Sequence, residues 1–488
     1  MDSHECQGCA EYRELSRRQF MAVTGGAAVA FSAPAWLPRV VFAQDFCSDR
    51  DVMVCIFLRG AADGLTLCVP FTESAYYAAR PTLAIPPPDS SDPNHATNLD
   101  GFFGFPPAMT ALLPAYQAGH LLMVHACGSM DSSRSHFDAQ RFMEIGQPGS
   151  QSLFTGWLGR HLVSAPPINP NALLRAIGMG YTLQQSLQGG PLTLPIPDLD
   201  LFGLAGNPGT VAARIAALHD MYELVEDPLH AAALTTQATI DLLNTIDFVN
   251  YQPAGGAVYP SGSVGYALKS TAALIKADLG VEAVAIDVGG WDTHNNQGPT
   301  VGTMANLMTG LSGGLAAFHA DMFSGNGRNV TVVAMSEFGR RLAQNGNDGS
   351  DHGHGNAMLV LGNHIAGGRV LTQWPGLAPD QLFQGLDLQV TIDFRDILAE
   401  IVQQRLANND LSFVFPDFTP TFRGVTQAIQ PGDMNCDGDV NLADYAAVNA
   451  CLSGPVTPAP ANCARADADA DADVDMADVR AIQNAFGG

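Results

Sequence analysis

From about residue 50 to 424 the chain alternates short apolar, β-branched runs with longer stretches in which apolar positions recur at helical spacing. Val52 to Leu58, Leu121 to Ala126, Val281 to Val288, Val330 to Met335 and Ala357 to Leu361 predict strands. Pro107 to Ala118, Ala212 to Val249, Val301 to Phe323 and Phe394 to Leu406 predict helices. Such alternation is that of an α/β domain with a mostly parallel sheet. Because the strands are apolar throughout, helices should cover both faces of the sheet, and ligands should gather at the carboxyl ends of the strands.

Past residue 424 the pattern changes to a repeat. Asp433-x-Asn435-x-Asp437-Gly438-Asp439-Val440-Asn441-x-x-Asp444 recurs as Asp467-x-Asp469-x-Asp471-x-Asp473-Val474-Asp475-x-x-Asp478, at a constant offset of 34 residues. Oxygen ligands at loop positions 1, 3, 5, 9 and 12, with a backbone carbonyl at 7, wrap one hard cation. A solvated acidic tail has no reason to keep a Val and a terminal Asp in register with a first copy. Leu442/Met476, Val448/Ile482 and Leu452/Phe486 extend the correspondence, so each loop leads a helix and two calcium ions are expected. Val440, Leu442, Val448 and Leu452 should pack against Val474, Met476, Ile482 and Phe486. The segment resembles a type I dockerin, which implies a cohesin-like protein or a cell-surface assembly as partner. It departs from that pattern at Ala472, where a sharp turn favours Gly, and at Leu442-Ala443 and Met476-Ala477, where small hydroxyl residues usually face a cohesin.

Composition adds compartment and size. The 488 residues, 47% hydrophobic and 15% charged, suffice for one large domain and a small one. A formal net charge of −25 argues against nucleic acid or an anionic membrane surface as partner. Ser16-Arg17-Arg18-Gln19-Phe20-Met21, a Gly/Ala-rich run from Ala22 to Trp36, and Val41-Phe42-Ala43 resemble a twin-arginine signal with its cleavage site. That implies export of the folded chain to the periplasm or beyond, with no membrane span once the signal is removed. The expected organisation is a signal over 1–43, an α/β domain over 44–424, a linker over 425–430 and a calcium module over 431–488. Cys6 and Cys9 would leave with the signal. One disulfide is expected among Cys436, Cys451 and Cys463, with Cys55, Cys68 and Cys127 as buried thiols.

Chemistry-bearing residues follow the predicted strands. Arg59 to Gly64 contains Asp63, and the segment after His125 contains Ser133, Arg134, Ser135 and His136. Asp292 and His294 follow Val288, Glu337 follows Met335, and Asp351, His352 and His354 lie in a Gly/Asn-rich loop. Mixed imidazole and carboxylate sets suit zinc, manganese or iron, and two such ions clamp the oxygens of an ester displacement. A Ser at a helix start presents its hydroxyl to backbone N–H groups that stabilise an anion. Taken singly, Asp63 reads equally as a turn cap, Ser133 or Ser135 as an N-cap, and Glu337 as a partner of Arg340 or Arg341.

The motifs FLRGAADGL from Phe57, SRSHFDAQ from Ser133, TGWLGR from Thr155, GWDTH from Gly290, MSEFGR from Met335 and DHGHGN from Asp351 resemble the family catalogued as domain of unknown function 1501, over about residues 51 to 406. The resemblance implies a three-layer α/β/α sandwich akin to alkaline phosphatases and sulfatases. It further implies Asp63 as the carboxylate after the first strand, Ser135 or else Ser133 as nucleophile beside Arg134 and His136, and Asp292 with His294 as one metal pair. Glu337-Phe338 stands where that superfamily often has Asp-His, so a second ion is either lost or rebuilt from Glu337 with Asp351, His352 and His354. One or two divalent transition ions are thus expected. The expected function is an exported, metal-dependent hydrolase of phosphate or sulfate esters, on polysaccharide-associated substrates and tethered by the calcium module. Arg134 or Arg59 would hold the anionic ester. The rival expectation is a catalytically degenerate binding or assembly protein of the same fold.

Overall fold

The computed structural model describes residues 50–203, 206–223, 225–226, 229–324, 329–427, 432–434, 440–459, 463, 465–469 and 471–485. The expected twin-arginine signal, with Cys6 and Cys9, lies outside the described residues.

Nine strands form the main sheet: β1 (Val52–Leu58), β2 (Leu121–Gly128), β3 (Ala176–Met179), β4 (Thr193–Pro195), β5 (Ala283–Val288), β6 (Val330–Met335), β7 (Asn356–Gly362), β8 (Arg369–Leu371) and β9 (Ile392–Asp393). Their order is β8-β2-β7-β6-β1-β5-β3-β4, with β9 also beside β2. β1 runs parallel to β5 and β6, and β3 parallel to β4 and β5. β7 is the reversed strand, antiparallel to β6 and β2, so the sheet is mixed. All seven residues of β1 are buried. The pleat sends Val52, Val54, Ile56 and Leu58 into one apolar cluster and Met53, Cys55 and Phe57 into the other.

The longer helices are α1 (His136–Ile145), α2 (Trp157–Ser164), α3 (Val211–Glu223), α4 (Leu229–Leu243), α5 (Ser263–Lys276), α6 (Thr303–Met322), α7 (Phe394–Gln404), α8 (Leu442–Cys451) and α9 (Met476–Ala485). α5 and α6 supply the first cluster with Leu268, Leu274, Leu311 and Phe318; α2 and α7 supply the second with Trp157, Leu162, Phe394 and Ile401. Both faces are therefore covered, as apolar strands require. Each of these large apolar side chains contributes roughly 1.5–3 kcal/mol by leaving water. The single helix expected over 212–249 is two, α3 and α4, separated where the sequence places Pro228, which cannot donate an N–H.

Residues 425–427, expected to begin a linker, are bonded into the domain. Glu400 accepts from the Val425 and Thr426 N–H groups at 2.6 and 3.0 Å, and Val425 is fully buried. In the tail, Met434, Val440, Val448, Val474, Val479 and Ile482 share a small core with the Cys451–Cys463 disulfide. Leu442 and Met476 are not part of it. They are 78% and 61% exposed, because each stands at the first residue of its helix, outside the stripe that faces the core. Phe486 and Cys436 lie outside the described residues.

Candidate metal centres

The loops after the parallel strands β1, β5 and β6 meet around one arginine. Arg340 is fully buried and donates to the carbonyls of Gly60 (2.6 Å), Ala61 (2.7 Å), Trp291 (2.9 Å) and Ser350 (2.8 Å), and to Asp292 Oδ1 (2.7 Å). Gly60 makes this approach possible. It sits at φ +117°, and a Cβ there would lie 2.6 Å from the Asp292 nitrogen.

Three imidazoles are each held by one nitrogen. His136 Nδ1 lies 2.8 Å from Glu337 Oε1, His294 Nδ1 lies 3.1 Å from Asp351 Oδ1, and His352 Nδ1 lies 3.0 Å from the Arg134 carbonyl. An oxygen acceptor at Nδ1 keeps the proton there and leaves a lone pair on Nε2, the arrangement that second-shell groups impose on metal-ligating histidines. The Nε2 atoms of His294 and His352 each lie 3.1 Å from Asp292 Oδ1 and 2.9 Å from one another, and His136 Nε2 is 3.5 Å from Asp292 Oδ2. His136 Nε2 is buried and has no hydrogen-bond partner. His136, Asp292 and His352 present ligand atoms that all lie within 4.8 Å of one another. Lone pairs that converge in this way fit a divalent transition ion.

Charge is arranged to suit. Burial would raise the Glu337 pKa, but donors from His136, Gln140 and Ser336 hold it down at about 2. Burial works the same way on Asp292, and Arg340 and His352 outweigh it, so this carboxyl is also depressed. The Asn345 amide, followed by His294, lowers Asp351. The hydrogen bond to Glu337 raises His136 despite its partial burial, so a metal ion bound there would have to displace a proton.

Of the expected metal residues, Asp292, His294 and His352 thus come together, while Glu337 and Asp351 stand behind imidazoles. His136, expected beside the nucleophile, points its free nitrogen into the group. Two expected ligands are engaged elsewhere. Asp63 is fully buried in a bidentate pair with Arg80 (2.6 and 3.0 Å) and also accepts from Thr66 and Gln297. His354 stacks on Phe383 with centroids 4.1 Å apart, and burial pushes its pKa down to about 4. Ser135 is the N-cap of α1, accepting from Asp138 N–H at 3.5 Å, and Ser133 Oγ accepts from Ser135 N–H at 3.2 Å. Neither proposed anion-holding arginine is free: Arg134 pairs with Asp387, and Arg59 with Glu144 and Asp287. Arg340 and Gln140 were not foreseen as parts of the site, although Gln140 stands one helical turn after His136 and donates to the same Glu337 oxygen at 2.8 Å.

The tail repeats its geometry as it repeats its sequence. In the first loop Asp444 is buried and accepts from the N–H groups of Met434 and Asn441, both at 2.8 Å. In the second, Asp478 accepts from the corresponding Ala468 and Asp475, both at 2.7 Å. Asp467, Asp469 and Asp471 gather their oxygens, as do Asp471, Asp473 and Asp478. Asp473 Oδ2 accepts from Val456 N–H at 2.6 Å, as suits a loop position expected to offer an ion its backbone carbonyl and not its side chain. Ala472 adopts φ +76° where the first copy has Gly438. Asp433 is buried, whereas Asn435, Asp437 and Asp439 lie outside the described residues.

Residues 211–410 match the family described as protein of unknown function (DUF1501), and residues 431–487 match the type I dockerin domain. The first match is shorter than the span of about 51 to 406 read from motifs; it includes Asp292, His294, Glu337 and His352 but not Asp63 or His136. No curated protein matches the chain. The chain thus carries a DUF1501 domain, a class that names no activity, and a dockerin domain. Type I dockerins bind calcium and dock onto cohesins, generally outside the cell, which supports a calcium cofactor, a cohesin partner and an extracellular setting. Among the described residues, no helix is long and apolar enough to cross a membrane.

Proposed function

We propose that the protein is an exported, metal-dependent hydrolase of phosphate or sulfate esters on polysaccharide-associated substrates, tethered through its dockerin domain to a cohesin-bearing partner. One observation carries the reading: three imidazoles, each anchored at Nδ1, turn Nε2 toward the carboxylate of Asp292. His136, Asp292, His294 and His352 would hold one zinc, manganese or iron ion. Such an ion, when bound, polarises an ester oxygen and lowers the pKa of water. Glu337, Asp351 and the Arg134 carbonyl keep the rings in place, and Arg340 positions Asp292. With Asp63 and His354 engaged elsewhere, a single ion suits this chain better than the two of an alkaline-phosphatase-like site. The capping role of Ser135 favours water over a serine as the attacking group. Export by the twin-arginine route belongs to the same proposal. So does an apolar cohesin contact through exposed Leu442 and Met476.

The rival reading, a catalytically degenerate binding or assembly protein, is favoured by one contact: the Arg340 guanidinium already neutralises Asp292. Metal analysis of the mature chain, purified without chelators, separates the two. We expect about one transition ion per chain besides calcium, together with turnover of aryl phosphates or aryl sulfates that is lost in His352→Ala. A chain that takes up no transition metal even on reconstitution overturns the hydrolase reading.

A further inference from the structure

Three of the converging ligand atoms form a near-equilateral triangle. His294 Nε2 and His352 Nε2 lie 2.9 Å apart, and each lies 3.1 Å from the same oxygen, Asp292 Oδ1. Hydrogen bonds between neutral rings do not account for it. Both rings turn Nδ1 to an oxygen, Asp351 Oδ1 for His294 and the Arg134 carbonyl for His352, so each Nε2 presents a lone pair. Two lone pairs and a carboxylate oxygen at such distances repel one another unless a cation lies among them.

The edges of the triangle select a coordination geometry. Bonds of about 2.1 Å place adjacent donors about 3.0 Å apart around an octahedral ion and about 3.4 Å apart around a tetrahedral one. Edges of 2.9, 3.1 and 3.1 Å are those of one octahedral face, with its donors near right angles. Two imidazoles and one carboxylate on a single face suit iron(II), and manganese(II) shares the six-coordinate preference, whereas zinc favours four donors at tetrahedral angles. His136 stands off the triangle: its Nε2 lies 3.5 Å from the other oxygen, Asp292 Oδ2. Opposite an occupied octahedral face three mutually adjacent positions remain. With His136 in one of them two adjacent positions are left, whereas the same four donors around a tetrahedral ion would leave none.

We propose that the centre is built for a six-coordinate ion, iron(II) or manganese(II) in preference to zinc, held on one face by Asp292, His294 and His352 with His136 as fourth donor. Its two adjacent open positions receive two oxygens of a phosphate or sulfate group. The choice of anion rests on the ester-hydrolase reading, while the geometry of the ion does not. The opposing arrangement is a proton shared between His294 and His352, with no ion.

Cobalt(II) reports the geometry directly, because six-coordinate cobalt absorbs visible light weakly and four-coordinate cobalt strongly. The full-length mature chain, kept in calcium so that the tail loops are filled, should bind cobalt(II) in its main domain with a weak visible band. Inorganic phosphate or sulfate should shift that band, and manganese(II) bound in place of cobalt should broaden the phosphorus resonance of inorganic phosphate. His294→Ala should weaken cobalt binding by about a hundredfold or more and His136→Ala by about tenfold. Circular dichroism of both variants, without transition metal, should match the unmutated chain, which shows that they fold. An intense four-coordinate spectrum, or cobalt bound equally well by His294→Ala, overturns this geometry and leaves the hydrolase reading in place. A weak band that ignores phosphate and sulfate overturns the open positions. No uptake of transition metal favours the shared proton and overturns both readings. A six-coordinate, phosphate-sensitive ion in a chain that hydrolyses no aryl ester leaves this centre standing and removes the hydrolase reading instead.

Discussion

The two candidate metal regions collect their ligands in opposite ways. In the tail, each ion is to be wrapped by twelve consecutive residues, 433–444 and 467–478, over a core of a few Val, Ile and Cys side chains. In the main domain, His136, Asp292, His294 and His352 are drawn from distant segments and held by Glu337, Asp351, Arg134 and Arg340, over two large apolar clusters. A site assembled from local residues on a small core needs its ion to exist, whereas one assembled by a large core exists before its ion arrives. Calcium should therefore be a component of folding in the tail, and a transition ion a ligand in the main domain.

The largest expected effect follows directly. Ten Asp and two Arg occupy residues 431–488, and without cations their mutual repulsion opposes a core too small to offset backbone entropy. Adding chelator to the full chain should release the tail amides to free hydrogen exchange while amides of β1 and β6 stay protected. A tail that remains protected in chelator would break the comparison. The Cys451–Cys463 disulfide constrains the unfolded tail by about 3 kcal/mol in the loop-entropy view, so after reduction the tail should lose protection at a lower chelator concentration.

The second effect separates a structural carboxylate from a ligand. Asp63→Ala leaves Arg80 buried without its counter-charge and should cost about 3–5 kcal/mol of stability. Transition metal per folded chain should not change, because Asp63 is committed to Arg80, Thr66 and Gln297. Loss of metal without loss of stability would return Asp63 to the ligand set.

These contrasts also mark how much was legible. β1 and β6 begin and end where their apolar runs do, since both faces of a central strand must be apolar. β3 and β4, interrupted by Gly178 and ended by Pro195, carry too short a pattern to be read. α1 was hidden because its buried side includes Glu144, paired with Arg59, and not only apolar residues. The cluster of His and Asp at the strand ends was visible, but its membership was not. Asp63 has its partner Arg80 on a separate helix-terminal turn, a pairing that no local spacing announces. His354 shares strand parity with His352, yet Gly353 breaks it: a Cβ there would meet the Arg340 carbonyl carbon at 2.4 Å, and the chain turns His354 away onto Phe383. In the tail every expected ligand is local, and Asp444 and Asp478 accept matching backbone bonds at the same place in each repeat.

A third prediction concerns acid. His161 is buried beside Asn408, and burial pushes its pKa down to about 3 from an ordinary value of 6.5. Between those values the unfolded chain binds the proton and the folded chain does not, so His161 opposes folding increasingly as pH falls below about 6.5. The cost is about 1.4 kcal/mol per pH unit in that window and is absent above it. Denaturation midpoints of the main domain measured from pH 7 to pH 5 should fall less steeply in His161→Gln. An unchanged slope would mean that His161 is protonated in the folded state.

The smallest expected change in stability carries the finest test of a preorganised centre. Asp351 is 44% exposed at its side chain and supports the site only by accepting from His294 Nδ1 and Asn345. Removing it leaves no buried charge and no cavity, so Asp351→Ala should shift stability by no more than about 0.5 kcal/mol. It does free the His294 ring to rotate and lets the proton settle on either nitrogen, which should weaken transition-metal affinity by about ten- to a hundredfold. Asp351→Asn keeps an acceptor oxygen at that place and should recover much of the loss. In the tail no such separation is available: Asp478→Ala removes a calcium oxygen and the three backbone bonds of its carboxylate together, so affinity and fold should fall in step. If Asp351→Ala instead unfolds the hairpin that carries His352, the main-domain centre is no more preorganised than the calcium loops, and the distinction between the two regions fails.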